Sequence, residues 1–362
     1  MKHTLKATLA LVIFFFLAQV VGLLVVNQYV DHKKTIETRE VVYMPLPYNL
    51  ERPQVENQST SFLYIIIAIL IGTSLILLLI KFRETSLFRL WLYLGILRII
   101  GYVSLYNSKD YGTLISYLLT DLLVGFLIWK FKLTMHDFWK FWFFITVWIT
   151  LSIAFSAFIN AIVAVIISLI MSALKLYRPN IFLQNLSEIF MYGGLAAIFV
   201  PMLNIFAAFM LLILISIYDF IAVFKTKHMV KLAQFQSNSK IFAGLLIPYE
   251  RGKISMNGKL SSSKSEKKTK PSKPSGKASQ KSVAVLGGGD IGFTLLFAGV
   301  VMKSLMLQDT FLIGFLKTLI ITVTTTVALL ILLIKGQQNK FYPAMPVLSL
   351  GCFIGYLIVW LI

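Results

Sequence analysis

The sequence predicts an all-α membrane protein, a polytopic bundle of transmembrane helices. Hydrophobic residues make up 58% of the 362 residues and charged residues only 14%, and the mean hydropathy is +0.81. Long apolar segments recur at the length that crosses a bilayer, about 20 residues each. This composition is too apolar for a soluble chain of the same size, so most of the residues are expected to lie within lipid.

Ten apolar runs follow one another along the chain. They cover residues 8–28, 62–80, 86–106, 113–129, 141–174, 186–203, 205–224, 283–302, 311–334 and 343–362. The fifth run is too long for one span, because its 34 residues would extend about 51 Å as a straight helix against a hydrocarbon core of about 30 Å. A turn near residues 156–160 would divide it in two, which gives about eleven predicted spans.

The distribution of positive charge predicts the orientation of these spans. The loop 225–282 carries thirteen lysines and Arg251 against two glutamates, a net charge of +12 out of +19 for the chain. This loop is therefore expected in the cytoplasm. With eight spans before it the N-terminus lies there too, whereas the C-terminus lies outside the cell membrane. Residues 8–28 are interpreted as a retained signal anchor, because they lack a clear small-residue cleavage site.

Most of the basic loop has a composition that cannot form a core. Residues 250–281 are rich in Lys, Ser, Pro and Gly and contain no aromatic side chain, which is typical of disordered chain. Nucleic acid is not an expected partner, because aromatic side chains for base stacking are missing. Anionic lipid headgroups are the expected contact. The chain thus divides into membrane spans 1–181, membrane spans 182–224, the loop 225–282 and membrane spans 283–362.

Several kinds of chemistry have no candidate residues. Cys352 is the single cysteine, which excludes an internal disulfide and a thiolate metal cluster. The four histidines form no HExxH pair, so a zinc-dependent peptidase has no ligands. A GxSxG serine motif is absent as well. No cofactor or metal is predicted.

Two aspartates inside apolar segments, Asp219 and Asp290, are the main candidates for function. An ionised carboxylate at the bilayer centre costs about 3 kcal/mol on insertion scales, so each needs a partner or a role. Asp219 precedes the basic loop by about six residues and Asp290 follows it by about seven, which places both roughly 10 Å inside the same face. Two close carboxylates in a low dielectric cannot both ionise. One ionised and one protonated carboxyl group is the charge state that aspartyl hydrolysis requires.

Glycines and prolines next to these aspartates also favour a site. Gly287, Gly288 and Gly289 forgo roughly 1 kcal/mol each of helix propensity and allow another backbone to approach. A tight helix crossing would explain the glycines alone, but not the adjacent acid. Two prolines in the stretch 343–346 remove backbone donors and hold the chain extended, although a simple helix-start signal explains them as well.

Three motifs in this order resemble presenilin and its archaeal homologues, the GxGD intramembrane aspartyl proteases. They are Tyr218-Asp219 in one span, Gly287-Gly288-Gly289-Asp290 in the next long span, and Pro343-Ala344-Met345-Pro346 before the last, with the basic loop between the first two. The signal peptide peptidase branch is similar but inverted in the membrane, and the basic loop favours the presenilin orientation. Met345 stands where the family usually has leucine, a near-isosteric apolar change.

This resemblance implies an aspartic endopeptidase that cuts transmembrane segments, with Asp219 and Asp290 catalytic and Tyr218, the glycines and residues 343–346 shaping the substrate site. Archaeal relatives act without accessory subunits, so activity is expected from this chain alone. Family members have nine spans, which places the two surplus spans among residues 86–177. A pairing of Arg98 with Asp121 is a hypothesis for that region.

A proton-coupled transporter or channel is the alternative function, with the two aspartates as a relay. The position of both aspartates near one face and the lack of a visible inverted repeat count against it. A protease must also unwind its substrate helix and offer new hydrogen-bond partners. Residues 283–286, residues 241–247 and the carbonyl groups of residues 343–346 are the candidates, so a small strand pairing with substrate is predicted.

Overall fold

The computed structural model of the protein describes most of the chain. The described residues are 4–52, 57–81, 120, 123, 124, 126, 130, 132, 135–178, 180–225, 243–250, 281–308, 310–336 and 342–362. Most of the basic loop, the span predicted over 86–106, most of that over 113–129, and the pair Arg98 and Asp121 lie outside these residues. Predictions about them stay predictions.

Ten α-helices and one two-stranded sheet make up the described part of the chain. The helices are α1 (Leu5–Gln28), α2 (His32–Thr38), α3 (Ser61–Lys81), α4 (Met135–Ser156), α5 (Ala161–Tyr177), α6 (Ile181–Phe199), α7 (Ile205–Phe220), α8 (Gly288–Leu305), α9 (Phe311–Lys335) and α10 (Met345–Leu361). A π-helical turn, Ile221–Lys225, continues α7. The strands are β1 (Gly244–Glu250) and β2 (Lys281–Gly287).

The predicted fold class, an all-α bundle of transmembrane helices, is confirmed, with the small sheet as an addition. Seven helices of the described residues are long and apolar enough to cross a membrane, and α5 and α10 are shorter apolar helices. Because two predicted spans fall mostly outside the described residues, the total of about eleven stays a prediction.

The predicted division of the fifth apolar run is also confirmed. Helix α4 ends at Ser156 and α5 begins at Ala161. Asn160 starts the second helix, because its side chain accepts a hydrogen bond from the Ile162 amide that the helix itself leaves unpaired. Asn180 and Asn204 begin α6 and α7 in the same way.

Helix α8 lies at the centre of the bundle. It packs against α1, α6, α7, α9 and α10, and most of its side chains from Ile291 to Met302 are buried. Helices α9 and α10 pack closely as well, because a Cβ on Gly355 would stand 2.7 Å from the Ile321 Cα. The start of α8 is therefore held on several sides, and this start carries Asp290.

The two strands pair with each other in an antiparallel register, with Gly244 opposite Gly287 and Leu246 opposite Val285. They lie at the same end of the bundle as the start of α6, because Gln184 and Asn185 of that helix bond to the backbone of β1. Sequence reasoning predicted a small strand pairing with substrate in these segments. The structure shows that the two segments pair with each other.

The segment that follows α1 packs against the opposite end of the bundle. The Arg52 guanidinium donates to the carbonyl oxygens of Met44 at 2.7 Å and Ala197 at 3.3 Å. It also lies over the rings of Tyr29 and Tyr43, 5.9 Å and 5.5 Å from their centroids. Burial raises the pKa of Tyr43, which keeps its hydroxyl neutral, and the nearby guanidinium opposes this shift. These contacts fix the segment to α6.

Candidate active site

Asp219 lies in the last turn of α7 and is buried. Its Oδ2 accepts a hydrogen bond from the backbone amide of Met345 at 3.1 Å, and the Ala344 amide contacts the same carboxyl group. Both amides belong to the start of α10, where the first amides of a helix have no partner within it. The start of α10 therefore supplies the donors that hold this carboxyl group in place.

The two prolines of the 343–346 stretch explain why these donors face Asp219. Pro343 and Pro346 carry no N–H group, so only Ala344 and Met345 offer amides in this stretch, and both are directed at Asp219. Partial positive charge at a helix N-terminus further favours an anion there. The motif is thus a helix start, as the simple explanation required, and at the same time a site for a carboxylate.

A second contact aligns the same two helices. Ser216 Oγ of α7 and Ser349 Oγ of α10 lie 2.8 Å apart, within hydrogen-bond distance. Ser216 precedes Asp219 by almost one turn, and Ser349 follows Met345 by about one turn. Two hydrogen bonds therefore fix the register of α7 against α10 beside the carboxyl group.

Asp290 is the third residue of α8, and Gly287 is the residue that caps this helix. The Gly287 amide donates to the Asp290 carboxylate, and a Cβ built on Gly287 would stand 3.4 Å from Asp290 Oδ2. This is the capping arrangement in which an acid at the third position bonds back to the cap amide. The local backbone thus sets the direction of the Asp290 side chain.

The structure brings the two aspartates together at one end of the bundle. Asp290 and Asp219 interact electrostatically, although they come from helices that the long basic loop separates in sequence. Tyr218, the other residue of the first motif, donates from its hydroxyl to Thr73 Oγ1 at 3.1 Å, and so ties α7 to α3.

Of the three glycines, Gly288 has the least free space. A Cβ at Gly288 would stand only 2.1 Å from the hydroxyl oxygen of Tyr192, whereas one at Gly289 would meet the Phe293 ring at 3.5 Å. Sequence reasoning expected the glycines to admit a substrate backbone. The space next to Gly288 is instead occupied by a side chain of α6.

Sequence reasoning missed a buried polar cluster on α5 and α6, which reaches the start of α8 through Tyr192. Glu188 of α6 accepts from Lys175 Nζ at 2.5 Å, from Gln184 Nε2 at 2.9 Å and from the Tyr192 hydroxyl at 2.5 Å. Lys175 and Glu188 are 4% and 0% exposed. The available signal was Glu188, a charged residue inside an apolar run, which in a membrane indicates a partner or a function.

Gln19 of α1 is a second residue that was missed. Its side-chain amide donates to the Ile291 carbonyl and to Thr294 Oγ1, both at 2.9 Å. Thr294 Oγ1 in turn donates to the Asp290 carbonyl at 2.8 Å. This connects α1 to the turn of α8 that carries Asp290. The signal in the sequence was a polar glutamine inside the apolar run 8–28, the predicted anchor helix.

The edge of β1 is occupied by α6. Asn185 donates to the Leu246 carbonyl at 2.8 Å and accepts from the Leu246 amide at 2.9 Å. In an antiparallel pair the backbone N–H and C=O groups of successive residues point alternately toward and away from the partner strand. The backbone groups of Leu246 point away from β2. Those of the opposite residue Val285 therefore point away from β1, to an edge where no described residue bonds to them.

Comparison with known proteins places this chain in a known family. A model of the family described as "Signal-peptide peptidase, presenilin aspartyl protease" matches residues 126–362. No curated protein sequence is similar enough to count as a match.

Two solved structures share the fold, and both are described as a presenilin family intramembrane aspartate protease, one in a C222 and one in a P2 space group. The first is 16% identical, with 98% of each chain covered and a TM-score of 0.51. The second is also 16% identical, with 98% of this chain and 97% of the other covered and a TM-score of 0.50. At this identity the likeness shows the fold, whereas the family match covers well over half of the chain. The chain belongs to the signal-peptide peptidase and presenilin family and is an intramembrane aspartyl protease.

Proposed function

We propose that Asp219 and Asp290 are the catalytic pair of this protease. The observation that carries the proposal is the placement of both carboxyl groups at one end of the bundle, in the last turn of α7 and the first turn of α8. Each carboxyl group also has its own backbone donor there, Met345 for the first and Gly287 for the second. Two carboxyl groups in such a setting share one proton near neutral pH. The family assignment favours this role over the proton relay of a transporter.

The reaction follows from that shared proton. The ionised carboxylate removes a proton from water as the water oxygen attacks the scissile carbonyl carbon, and the protonated carboxyl group donates its proton to the carbonyl oxygen. The resulting tetrahedral diol then breaks its C–N bond. The amide nitrogen leaves with a proton from the carboxyl group that gained one, and the other carboxylate takes a proton from the diol, which restores the starting state.

We propose that substrate binds as a strand along the edge of β2 that faces away from β1, here called the free edge because no described residue bonds to it. A transmembrane helix satisfies its amides internally, so cleavage requires replacement partners for an unwound segment. Val283 and Val285 offer amide and carbonyl groups on that edge, because β1 occupies the other side. The edge of β1 is closed by Asn185. Since β2 runs directly into Gly287 and α8, a strand on this edge passes close to Asp290.

Deleting residues 241–247 is not a clean test of this strand. Leu245 is fully buried, and Gly244 and Leu246 bond to α6. Removal of these residues would expose part of the core. Single substitutions on the free edge are the better test.

We propose that the active-site end faces the cytoplasm, with the N-terminus on that side and the C-terminus outside. The net charge of +12 between residues 225 and 282 supports this orientation. Because Asp219 ends α7 shortly before this loop and Asp290 follows it in the first turn of α8, cleavage is expected near the cytoplasmic side of the substrate helix. Activity is expected from the single chain without accessory subunits.

The decisive experiment is cleavage of a single-span peptide by the purified chain in liposomes. Asp219→Ala and Asp290→Ala should each abolish cleavage while the helix content is retained. Asp31→Ala is the matched control, because the Asp31 carboxylate caps the short helix α2 and pairs with Lys34 of the same helix. Its loss should leave the rate unchanged. Cleavage that survives either site substitution would refute the catalytic pair.

A further inference from the structure

The hydroxyl group of Tyr192 occupies the space that glycine leaves open at position 288. A Cβ at Gly288 would stand 2.1 Å from this oxygen, and a Cβ at Gly292 would stand 3.6 Å from the Tyr192 ring. Positions 288 and 292 are four residues apart, so they lie on one face of α8. The tyrosine thus packs along the first turn of α8, between these two glycines, and that turn carries Asp290.

The orientation of the tyrosine is set by a buried ion pair. Its hydroxyl donates to one oxygen of Glu188 at 2.5 Å, and the other oxygen of Glu188 accepts from Lys175 at 2.5 Å and from Gln184 at 2.9 Å. The Lys175 ammonium also lies 5.7 Å from the centroid of the Phe143 ring. Every oxygen of the glutamate therefore has a partner, and the hydroxyl hydrogen has one direction in which to point.

The stability of the fold does not by itself explain why an ion pair of this kind is buried. Removing two charges from water often costs as much as their attraction returns, and a well-packed apolar pair is frequently no less stable. Such pairs are kept in some proteins because they impose one arrangement on the groups around them. Here the group that is held is the Tyr192 hydroxyl, which donates to Glu188. Tyr192 also lies near enough to Asp290 to interact with it electrostatically.

We propose that Tyr192 is a positioning residue for Asp290, held in place by Glu188 and Lys175. The inference rests on the proposed catalytic role of Asp290. Tyr192 fixes the first turn of α8 from the side of α6, and the Gly287 amide fixes the carboxyl group from within α8. Without the hydroxyl contact the first turn of α8 gains freedom to shift, and Asp290 leaves its alignment with Asp219.

Tyr192→Phe is the first test, because it removes the hydroxyl and keeps the ring. A displacement of about 1 Å at a catalytic group can lower the rate about 100-fold, so kcat should fall about tenfold or more while KM for a single-span peptide stays within about twofold. Tyr29→Phe is the matched control. It removes another buried hydroxyl, one that donates to the Ile153 carbonyl at 2.7 Å at the far end of the bundle, and should leave kcat unchanged.

Gly288→Ala provides a second and independent test. The added methyl group would collide with the Tyr192 hydroxyl, so this variant should be nearly inactive. Adding Tyr192→Phe removes the colliding oxygen and should restore part of the activity, so that the double variant cleaves faster than Gly288→Ala alone. A change that only weakened packing would instead add to the damage.

The outcomes separate this inference from the proposed function. If Asp219→Ala and Asp290→Ala abolish cleavage, but Tyr192→Phe keeps the wild-type kcat or the double variant is no faster than Gly288→Ala, the positioning role is wrong and the catalytic pair stands. If cleavage survives the aspartate substitutions, the proposed function fails first. A fall in kcat at constant KM together with the rescue in the double variant supports the positioning role.

Discussion

The Oδ2 of Asp219 accepts a hydrogen bond of 3.1 Å from the backbone amide of Met345. The contact uses the main chain, so it depends on where α10 begins and how α10 sits against α7. Pro346 lies in the first turn of α10, where its missing N–H costs nothing because no helical partner exists for it. The position of this helix start therefore sets the position of the Asp219 carboxyl group, and the bonds that fix it can be tested.

Ser349→Ala should weaken that alignment. It removes the 2.8 Å contact with Ser216, and a hydrogen bond between membrane helices contributes about 1 kcal/mol. We expect the unfolding free energy in detergent to fall by about that amount and kcat to fall severalfold, because the Met345 amide is then less well placed.

Ser168→Ala is the control for this substitution. It also removes a contact between serine hydroxyls on neighbouring helices, with Ser152 at 2.5 Å, but on α4 and α5. A similar loss of stability with an unchanged cleavage rate is expected. Equal loss of activity in both variants would mean that the α7 and α10 alignment has no special role.

Val285→Pro should block the proposed substrate strand while the sheet persists. The Val285 amide points to the free edge of β2, so the ladder to β1 does not use it, and proline is tolerated on an edge strand. We expect KM to rise about tenfold, because the loss of roughly one hydrogen bond to substrate costs about 1.4 kcal/mol.

Val285→Ala separates the amide from the side chain. It keeps the N–H group and removes only the two methyl groups of a half-exposed side chain, so its effect on KM should be clearly smaller than that of proline. If alanine and proline raise KM equally, substrate does not use this amide.

Asn185→Ala should loosen β1. The substitution removes both hydrogen bonds to Leu246, which leaves the amide and carbonyl groups of Leu246 without these partners and costs about 1–3 kcal/mol. Amide hydrogen exchange across residues 244–250 should accelerate, and turnover should fall because β2 loses its support. Ser187→Ala is the control, since its hydroxyl donates only within α6, to the Gln184 carbonyl at 2.8 Å; exchange in β1 should then be unchanged.

The sequence was sufficient to predict the helical membrane fold and to identify both aspartates as candidate site residues. Apolar runs report bilayer crossing directly, and an acid such as Asp219 within such a run is visible without a structure. The helix break near Asn160 was also predictable, because a run longer than the bilayer must turn. These are local properties of the chain.

Contacts between segments that lie far apart along the chain could not be predicted from the sequence. The Lys175 and Glu188 pair joins two helices, and Lys175 alone reads as an ordinary cytoplasmic charge. The strands were identified as short apolar pieces, but whether β1 pairs with β2 or with substrate depends on tertiary position. Likewise, nothing near Gly288 in the sequence indicates that Tyr192 takes its free space.

Gln19 offers a test of how α1 supports the site. Its two donated bonds, to the Ile291 carbonyl and to Thr294 Oγ1, connect α1 to the residues that follow Asp290. Gln19→Leu keeps a similar volume and removes both bonds, so we expect a loss of about 1–2 kcal/mol in unfolding free energy and a lower kcat. Gln28→Leu, at an exposed position on the same helix, should change neither quantity.

Because Gln19 and Thr294 share a bond, Gln19→Leu combined with Thr294→Val should cost less than the sum of the two single changes by about 0.5 kcal/mol or more. Strict additivity in thermal or denaturant unfolding would show that the bond between Gln19 and Thr294 contributes nothing, and the bond to the Ile291 carbonyl would then be the one by which Gln19 supports the start of α8.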